Sequence, residues 1–162
     1  YHEYLEKGYS KEEILLKINT KGRDNARRPM QWTAEKNAGF TTGTPWIDVN
    51  PNYQTINVAA ALADKNSLFY TYQEMIRLRK EHPLIVWGDF ELLETVDEVI
   101  SFYRTYGEER WLVVTNFSDK VQPFSADVHV EQVMIENMPT DVTALAGYSL
   151  APWQAFVVKV SQ

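Results

Sequence analysis

The apolar residues of this chain change their spacing at Pro83. Before it, Leu68, Phe69, Tyr72, Met75 and Ile76 recur every three or four residues, which is the period of one helix face. After it, Phe90-Leu92, Ile100-Phe102 and Trp111-Val113 alternate with residues of the opposite face, which is the period of a strand. Proline lacks an amide hydrogen and disfavours helical backbone in the residue before it, so a helix ends there. The chain is therefore read as α+β, divided near Pro83-Leu84. Residues 1–84 hold helices and a long loop, and residues 85–162 hold an antiparallel β-sandwich of six to eight short strands. Gly107-Glu108 is the hairpin turn between two of the strands. Val121 to Phe124, Gln132 to Ile135, Tyr148 to Leu150 and Ala155 to Val160 supply further strands.

Local signals order the first half. Tyr1 to Gly8 reads as a helix tail with Gly8 as its stop. Ser10 caps the next helix, and Glu13 three residues on completes a capping box. Ile14, Leu15 and Ile18 give that helix an apolar face before it ends near Gly22. Ile56 to Leu62 suits a short helix. A stronger one starts at Asn66 or Ser67 and runs to about His82, with the Leu68–Ile76 stripe as its buried face and Arg77, Arg79, Lys80 and Glu81 in solvent. Between Trp32 and Tyr53 the chain is rich in Gly, Pro and Asn and has no period. Loops of that length are functional or disordered. Water is a costly environment for Trp32, Phe40, Trp46, Ile47 and Tyr53, so this loop is expected to be packed, as a lid over a larger scaffold.

The run Gly22 to Trp32 contains three arginines, an aspartate and an asparagine, and ends in Pro, Met, Gln and Trp. It does not alternate as a strand does, and Asn25 and Pro29 oppose a helix interior. It is a structured loop. Arg23 and Arg27 each present a planar fork of donors, which suits either a local carboxylate or several sugar hydroxyls. Both readings stand on these residues alone. Met30, Gln31 and Trp32 are expected to anchor the loop.

Composition closes several routes. A net charge of -6 argues against nucleic acid or an anionic membrane as partner. The chain has no cysteine, hence no disulfide framework and no thiolate metal site, which fits a cytoplasmic protein. No apolar run is long enough to span a bilayer, and Glu3 and Glu6 interrupt any signal peptide. His2, His82 and His129 are dispersed, and there is no Gly-rich phosphate loop, so no metal or cofactor is expected. The start at Tyr1, in mid-pattern and without Met, suggests a piece of a longer chain. Asn116-Phe117-Ser118 is a glycosylation sequon. Most of the aromatics, 13% of the chain, are read as core, although carbohydrate proteins also use aromatic rings as stacking platforms.

The motifs together resemble glycoside hydrolase family 13, in its branch of oligo-1,6-glucosidases and dextran glucosidases. They are Gly-Arg-Asp-Asn-Ala-Arg-Arg-Pro-Met-Gln-Trp from Gly22, Asn37 to Trp46, Val49 to Tyr53, Phe69 to Gln73 with Arg77 to Lys80, Asp89 to Leu93, Ile135 to Asn137, and Leu150 to Phe156. The resemblance implies that residues 1–84 end a (β/α)8 barrel and that residues 85–162 are the family's C-terminal sandwich. It implies hydrolysis of α-1,6-glucosidic bonds at the non-reducing end of isomalto-oligosaccharides or dextran. That reaction is retaining and uses two carboxyl groups. None of the acidic residues here lies in the family's catalytic motifs, so this stretch alone is expected to be inert. Arg23 stands where the family contacts the terminal glucose. Arg27 is either a second contact or purely structural. Asp24 orients Arg27 or caps local backbone. Arg28 departs from the family's usual Thr or Ser. Trehalose-6-phosphate hydrolase shares these motifs and is the close alternative. A carbohydrate-binding module and a non-catalytic transporter ectodomain are readings from other classes. The implied partner is a glucose-containing oligosaccharide, and helix faces built to rest on an absent barrel imply that the isolated chain packs on itself or self-associates.

Overall fold

The computed structural model describes residues 1–139 and 143–161. Two compact units divide it, Tyr1–Tyr70 and Thr71–Gln162. The division falls inside a helix, ahead of the change of period at Pro83.

The first unit opens with α1 (His2–Glu6) and α2 (Lys11–Lys21). Gly8 follows α1 with φ 83°. Ser10 accepts a hydrogen bond from the Glu13 amide, and the Glu13 carboxylate accepts from the Ser10 amide at 2.9 Å, so both halves of the capping box are present. The bond from the Ser10 amide is the main reason that the Glu13 carboxyl titrates below the usual range. Asn57 caps α3 (Val58–Ala63) by accepting from the Ala60 amide. The helix α4 (Leu68–Glu81) begins in this unit and ends in the second, where Arg77 pairs with Glu74 and Glu81.

The second unit continues through α5 (Leu84–Trp87) into β1 (Asp89–Leu92), β2 (Val99–Tyr106), β3 (Glu109–Asn116), β4 (Gln122–Phe124), β5 (His129–Glu136), β6 (Tyr148–Leu150) and β7 (Ala155–Ser161). Every segment read as a strand from the period forms one. Five strands make one antiparallel sheet in the order β1-β2-β3-β7-β5, and β4 pairs β6 in a second. The β2–β3 turn is Gly107-Glu108, with Gly107 at φ 60°. The two sheets share one apolar core. Leu112, Val114, Phe156 and Val158 face Phe124, Leu145 and Leu150 across it, all buried. A second cluster joins Leu78 of α4 and Leu84 of α5 to Trp111 of β3. The Trp111 indole donates to the Glu109 carboxylate at 2.9 Å, and His82 meets the same oxygen at 3.2 Å. Gly88 is required at the α5–β1 junction, because a Cβ there would stand 2.5 Å from the Leu84 carbonyl.

Two burial expectations are corrected, one for the stripe on α4 and one for the aromatics of the long loop. The stripe on α4 is not a buried face here: Leu68 is 76% exposed and Tyr72 65%, with Met75 and Ile76 half exposed. On α2, Ile14 is buried while Leu15 and Ile18 are exposed. The period is helical in both, but the period says only which residues share a side. The residue of α4 that is buried is Leu78, which packs with Leu84 and Trp111. The aromatics of the Trp32–Tyr53 loop are corrected likewise: Trp46 is 98% exposed, and Trp32 and Phe40 about half. That loop is ordered by hydrogen bonds rather than by an aromatic core. Asn37, Ala38 and Gly39 take left-handed backbone in succession, and the Ala38 carbonyl accepts from the Trp32 and Thr33 amides. Left-handed backbone costs an L-residue about 1–2 kcal/mol. The Asn37 side chain offsets part of this by donating to the carbonyls of Thr41 and Gly43.

Candidate functional site

The arginine run folds as a single 3-10 turn, Asp24–Arg27, between extended residues. Arg23 is the residue just before the turn, and its carbonyl accepts from the Ala26 amide at 3.1 Å. Its side chain is exposed and, among the described residues, makes no hydrogen bond or ion pair. Arg27 closes the turn. Its guanidinium lies 3.9 Å from the Asp24 carboxylate, with both side chains more than 60% exposed. A contact of that length and exposure contributes little. Both guanidinium groups therefore keep most of their donors available. The reading of Asp24 as an orienting partner holds only in this loose sense.

What fixes the turn lies on either side of it. Arg28 donates to the carbonyls of Asp48 and Val49 at 3.5 and 3.4 Å and so fastens the turn to the long loop. The extra arginine, which departs from the family's usual Thr or Ser, thus works as a tether to backbone. Farther on, the carbonyls of Gln31 and Trp32 accept from the Val58 and Ala59 amides at 2.9 and 3.0 Å. Those amides open α3 and have no partner within the helix. The Gln31 amide group also donates to Asn52 at 3.0 Å and to the Ile56 carbonyl. The run is thereby seated on the start of α3, as expected of Gln31 and Trp32. No sequence signal pointed to the Arg28 tether. The left-handed Asn37–Gly39 turn did carry one, since Asn and Gly are the residues that tolerate it.

Two concavities among the described residues lie in the second unit. One, of about 620 Å³, has mostly apolar walls, among them Tyr72, Met75, Phe90, Phe102 and Trp111. Another, of about 560 Å³, lies by Glu94, Phe124 and Tyr148. Neither includes Arg23 or Arg27. Among the described residues no three His, Cys, Asp or Glu side chains cluster as a metal site would need. Among the described residues no helix is long and apolar enough to cross a membrane. The sequon is structural in use: Asn116 is buried, donates to the carbonyls of Lys120 and Ala151, and accepts from the amide and hydroxyl of Ser118. Its amide nitrogen is therefore committed inside the fold.

The geometry so far sets two exposed arginines, Arg23 and Arg27, at a short turn fastened to the long loop by Arg28. Residues 2–88 match the model of the alpha-amylase catalytic domain, which ends where β1 begins. The chain belongs to the alpha-amylase family, glycoside hydrolase family 13. It is 50% identical to the glucan 1,6-alpha-glucosidase of Streptococcus pneumoniae over 98% of its length, and spans 29% of that relative. Two solved structures superpose on it. The trehalose-6-phosphate hydrolase of Bacillus licheniformis has 36% identity and a TM-score of 0.84, over 100% of this chain and 30% of that one. The isomaltulose synthase of Erwinia rhapontici has 37% identity and a TM-score of 0.88, over 99% and 30%. The described part of the chain is accordingly a mixed helical and antiparallel-sheet segment of a family 13 enzyme.

Proposed function

We propose that this chain is the C-terminal segment of an α-glucosidase that hydrolyses α-1,6-glucosidic bonds at the non-reducing end of isomalto-oligosaccharides or dextran. The observation that carries this reading is the 50% identity, across nearly the whole chain, to a glucan 1,6-alpha-glucosidase. The mechanism is retaining: one carboxylic acid protonates the leaving oxygen and one carboxylate attacks the anomeric carbon. Both lie on barrel strands outside this chain. Residues 1–84 complete the barrel, and residues 85–162 form the C-terminal sandwich. The shared core of the two sheets supports the sandwich. A location in the cytoplasm accords with the absence of cysteine.

Within this scheme Arg23 donates to the hydroxyls of the terminal glucose. Its free, exposed guanidinium on a loop fastened at Arg28 and Gln31 supports that role. Arg27 stands beside it as a second donor. A charged donor to a neutral acceptor contributes about 1.5–3 kcal/mol when the partners are buried together. In the full-length enzyme Arg23→Ala is expected to lower kcat/KM on isomaltose by roughly tenfold to a thousandfold, or about 1.4–4 kcal/mol. A folded Arg23→Ala enzyme with wild-type kinetics would make the residue structural and remove it from the site. Likeness to the trehalose-6-phosphate hydrolase structure favours one competing substrate, trehalose 6-phosphate. Parallel kcat/KM measurements on isomaltose and on trehalose 6-phosphate decide between them, the better substrate naming the enzyme.

A further inference from the structure

The turn from β6 to β7 is built against its own residue preferences. The Gln154 amide donates to the Ala151 carbonyl at 3.1 Å, which makes Ala151–Gln154 a β-turn. Pro152 occupies its second position and Trp153 its third, with φ 58°. This is a type II turn, whose third position calls for Gly or Asn because the backbone there is left-handed. A tryptophan in that position is an outlier. Burial does not explain it either, since Trp153 is 57% exposed.

The surroundings hold the strained residue from several directions. The Trp153 amide donates to the Ser118 carbonyl at 3.0 Å, and its carbonyl accepts from the Asn137 side chain at 2.6 Å. Asn137 also accepts from the Ala155 amide at 2.9 Å. Buried Gln154 accepts from the Ala151 amide at 2.8 Å and donates to the Tyr148 hydroxyl at 3.0 Å. Asn116 then joins this turn to the β3–β4 loop through its bonds to Ala151 and Lys120. On that loop, one residue from the carbonyl that Trp153 grips, Phe117 is also 57% exposed. Asp119 and Lys120 follow it with exposed side chains. Two aromatic residues, each mostly in water, thus stand on adjoining loops at one end of the sheets, beside a carboxylate and an ammonium group.

Strain that persists under such heavy constraint, with no gain in core packing, marks residues kept for what they present. We propose that Trp153 and Phe117 form a carbohydrate-stacking platform, a glucan-binding site separate from the arginine loop. Aromatic faces receive the C–H faces of glucose rings, and Asp119 and Lys120 receive the hydroxyls at the edge. The platform would hold a polymeric substrate to the C-terminal unit while its end is processed elsewhere. The choice of glucan as ligand rests on the function proposed above.

Affinity electrophoresis of the purified 162-residue chain in gels with and without dextran tests the site. The wild-type chain is expected to be retarded by dextran. Trp153→Gly should reduce the apparent affinity at least tenfold, and Phe117→Ala should reduce it less. Glycine suits the turn, so Trp153→Gly should melt no lower than wild type. A ring kept for stability alone would make this variant melt lower. Trp46→Ala, an exposed tryptophan outside the platform, should be retarded as wild type is. A wild-type chain that dextran does not retard would overturn the platform, as would a Trp153→Gly chain that keeps wild-type retardation. Neither result touches the Arg23 kinetics, so the platform and the proposed activity fail independently.

Discussion

Asn116 is the residue whose loss should disturb the β-rich unit most for its size. It is 2% exposed, and its carboxamide makes four hydrogen bonds within the unit. The nitrogen donates to Lys120 at 2.8 Å and to Ala151 at 2.9 Å, while the oxygen accepts from the Ser118 amide at 3.0 Å and hydroxyl at 2.8 Å. Asn116→Ala removes all four and leaves two carbonyls, one amide and one hydroxyl without those partners. Each bond is worth about 0.5–1.5 kcal/mol net, and each buried orphan costs about 1–3 kcal/mol. The Lys120 carbonyl lies in an exposed residue and can recover water, which lowers the total. The expected loss is about 3 kcal/mol, or a fall in Tm of roughly 12–24 °C for a unit of this size. Asn116→Asp is the sharper variant. At neutral pH it keeps the acceptor for Ser118 but sets a carboxylate oxygen against the Lys120 and Ala151 carbonyls. It should be at least as destabilised as Asn116→Ala, and should recover in part as acid protonates it and restores a donor. Thermal and urea melts of the purified chain measure both. A loss below about 1 kcal/mol for Asn116→Ala would refute the claim that this carboxamide joins the two turns.

Ser10→Ala should cost about 1 kcal/mol, confined to α2, and appear as faster amide exchange at Glu13 and Ile14. The Glu131 carboxyl is held below its usual range, chiefly by its hydrogen bond from Lys159, and Lys159 is raised by the same bond. The carboxylate's contribution is present above its unfolded pKa and lost as pH falls through the lowered folded value. The lysine's contribution is present below its unfolded pKa and lost as pH rises through the raised one. The Tm difference between wild type and Lys159→Met should therefore be largest between the carboxylate and lysine ranges and shrink at both extremes; a difference flat with pH would show that the pair contributes no charge effect. The chain as purified should give no turnover above background on isomaltose, dextran or trehalose 6-phosphate, because the proposed function places the acid and the nucleophile outside it; turnover would refute that placement. Light scattering should show its mass rising with concentration as the exposed stripes of α2 and α4 associate; a strictly monomeric chain at all concentrations would count against this.

Much of the fold was legible because the period of apolar residues is a local property. Alternation located the strands from β1 to β7, and Pro83 stopped the helix before them. The Ser10–Glu13 box and the Gly107-Glu108 hairpin were legible for the same reason, since each needs residues only a few positions apart. The family resemblance was also legible, from the composition of Gly22 to Trp32. Burial was not. Helical spacing put Tyr72, Met75 and Ile76 on one side of α4, yet the residue of α4 that is buried is Leu78, because Leu84 and Trp111 are what the fold brings against it. The same limit hid the site's support. Arg28 meets carbonyls twenty and twenty-one residues away, and Asn116 meets one thirty-five residues away. No spacing in the chain announces those pairs, because backbone carbonyls look alike at every position and only tertiary folding selects which of them a side chain will reach. The strain at Trp153 belongs to the same class: its type is written in the sequence, but its left-handed backbone was set by the turn and by the hydrogen bonds that close around it.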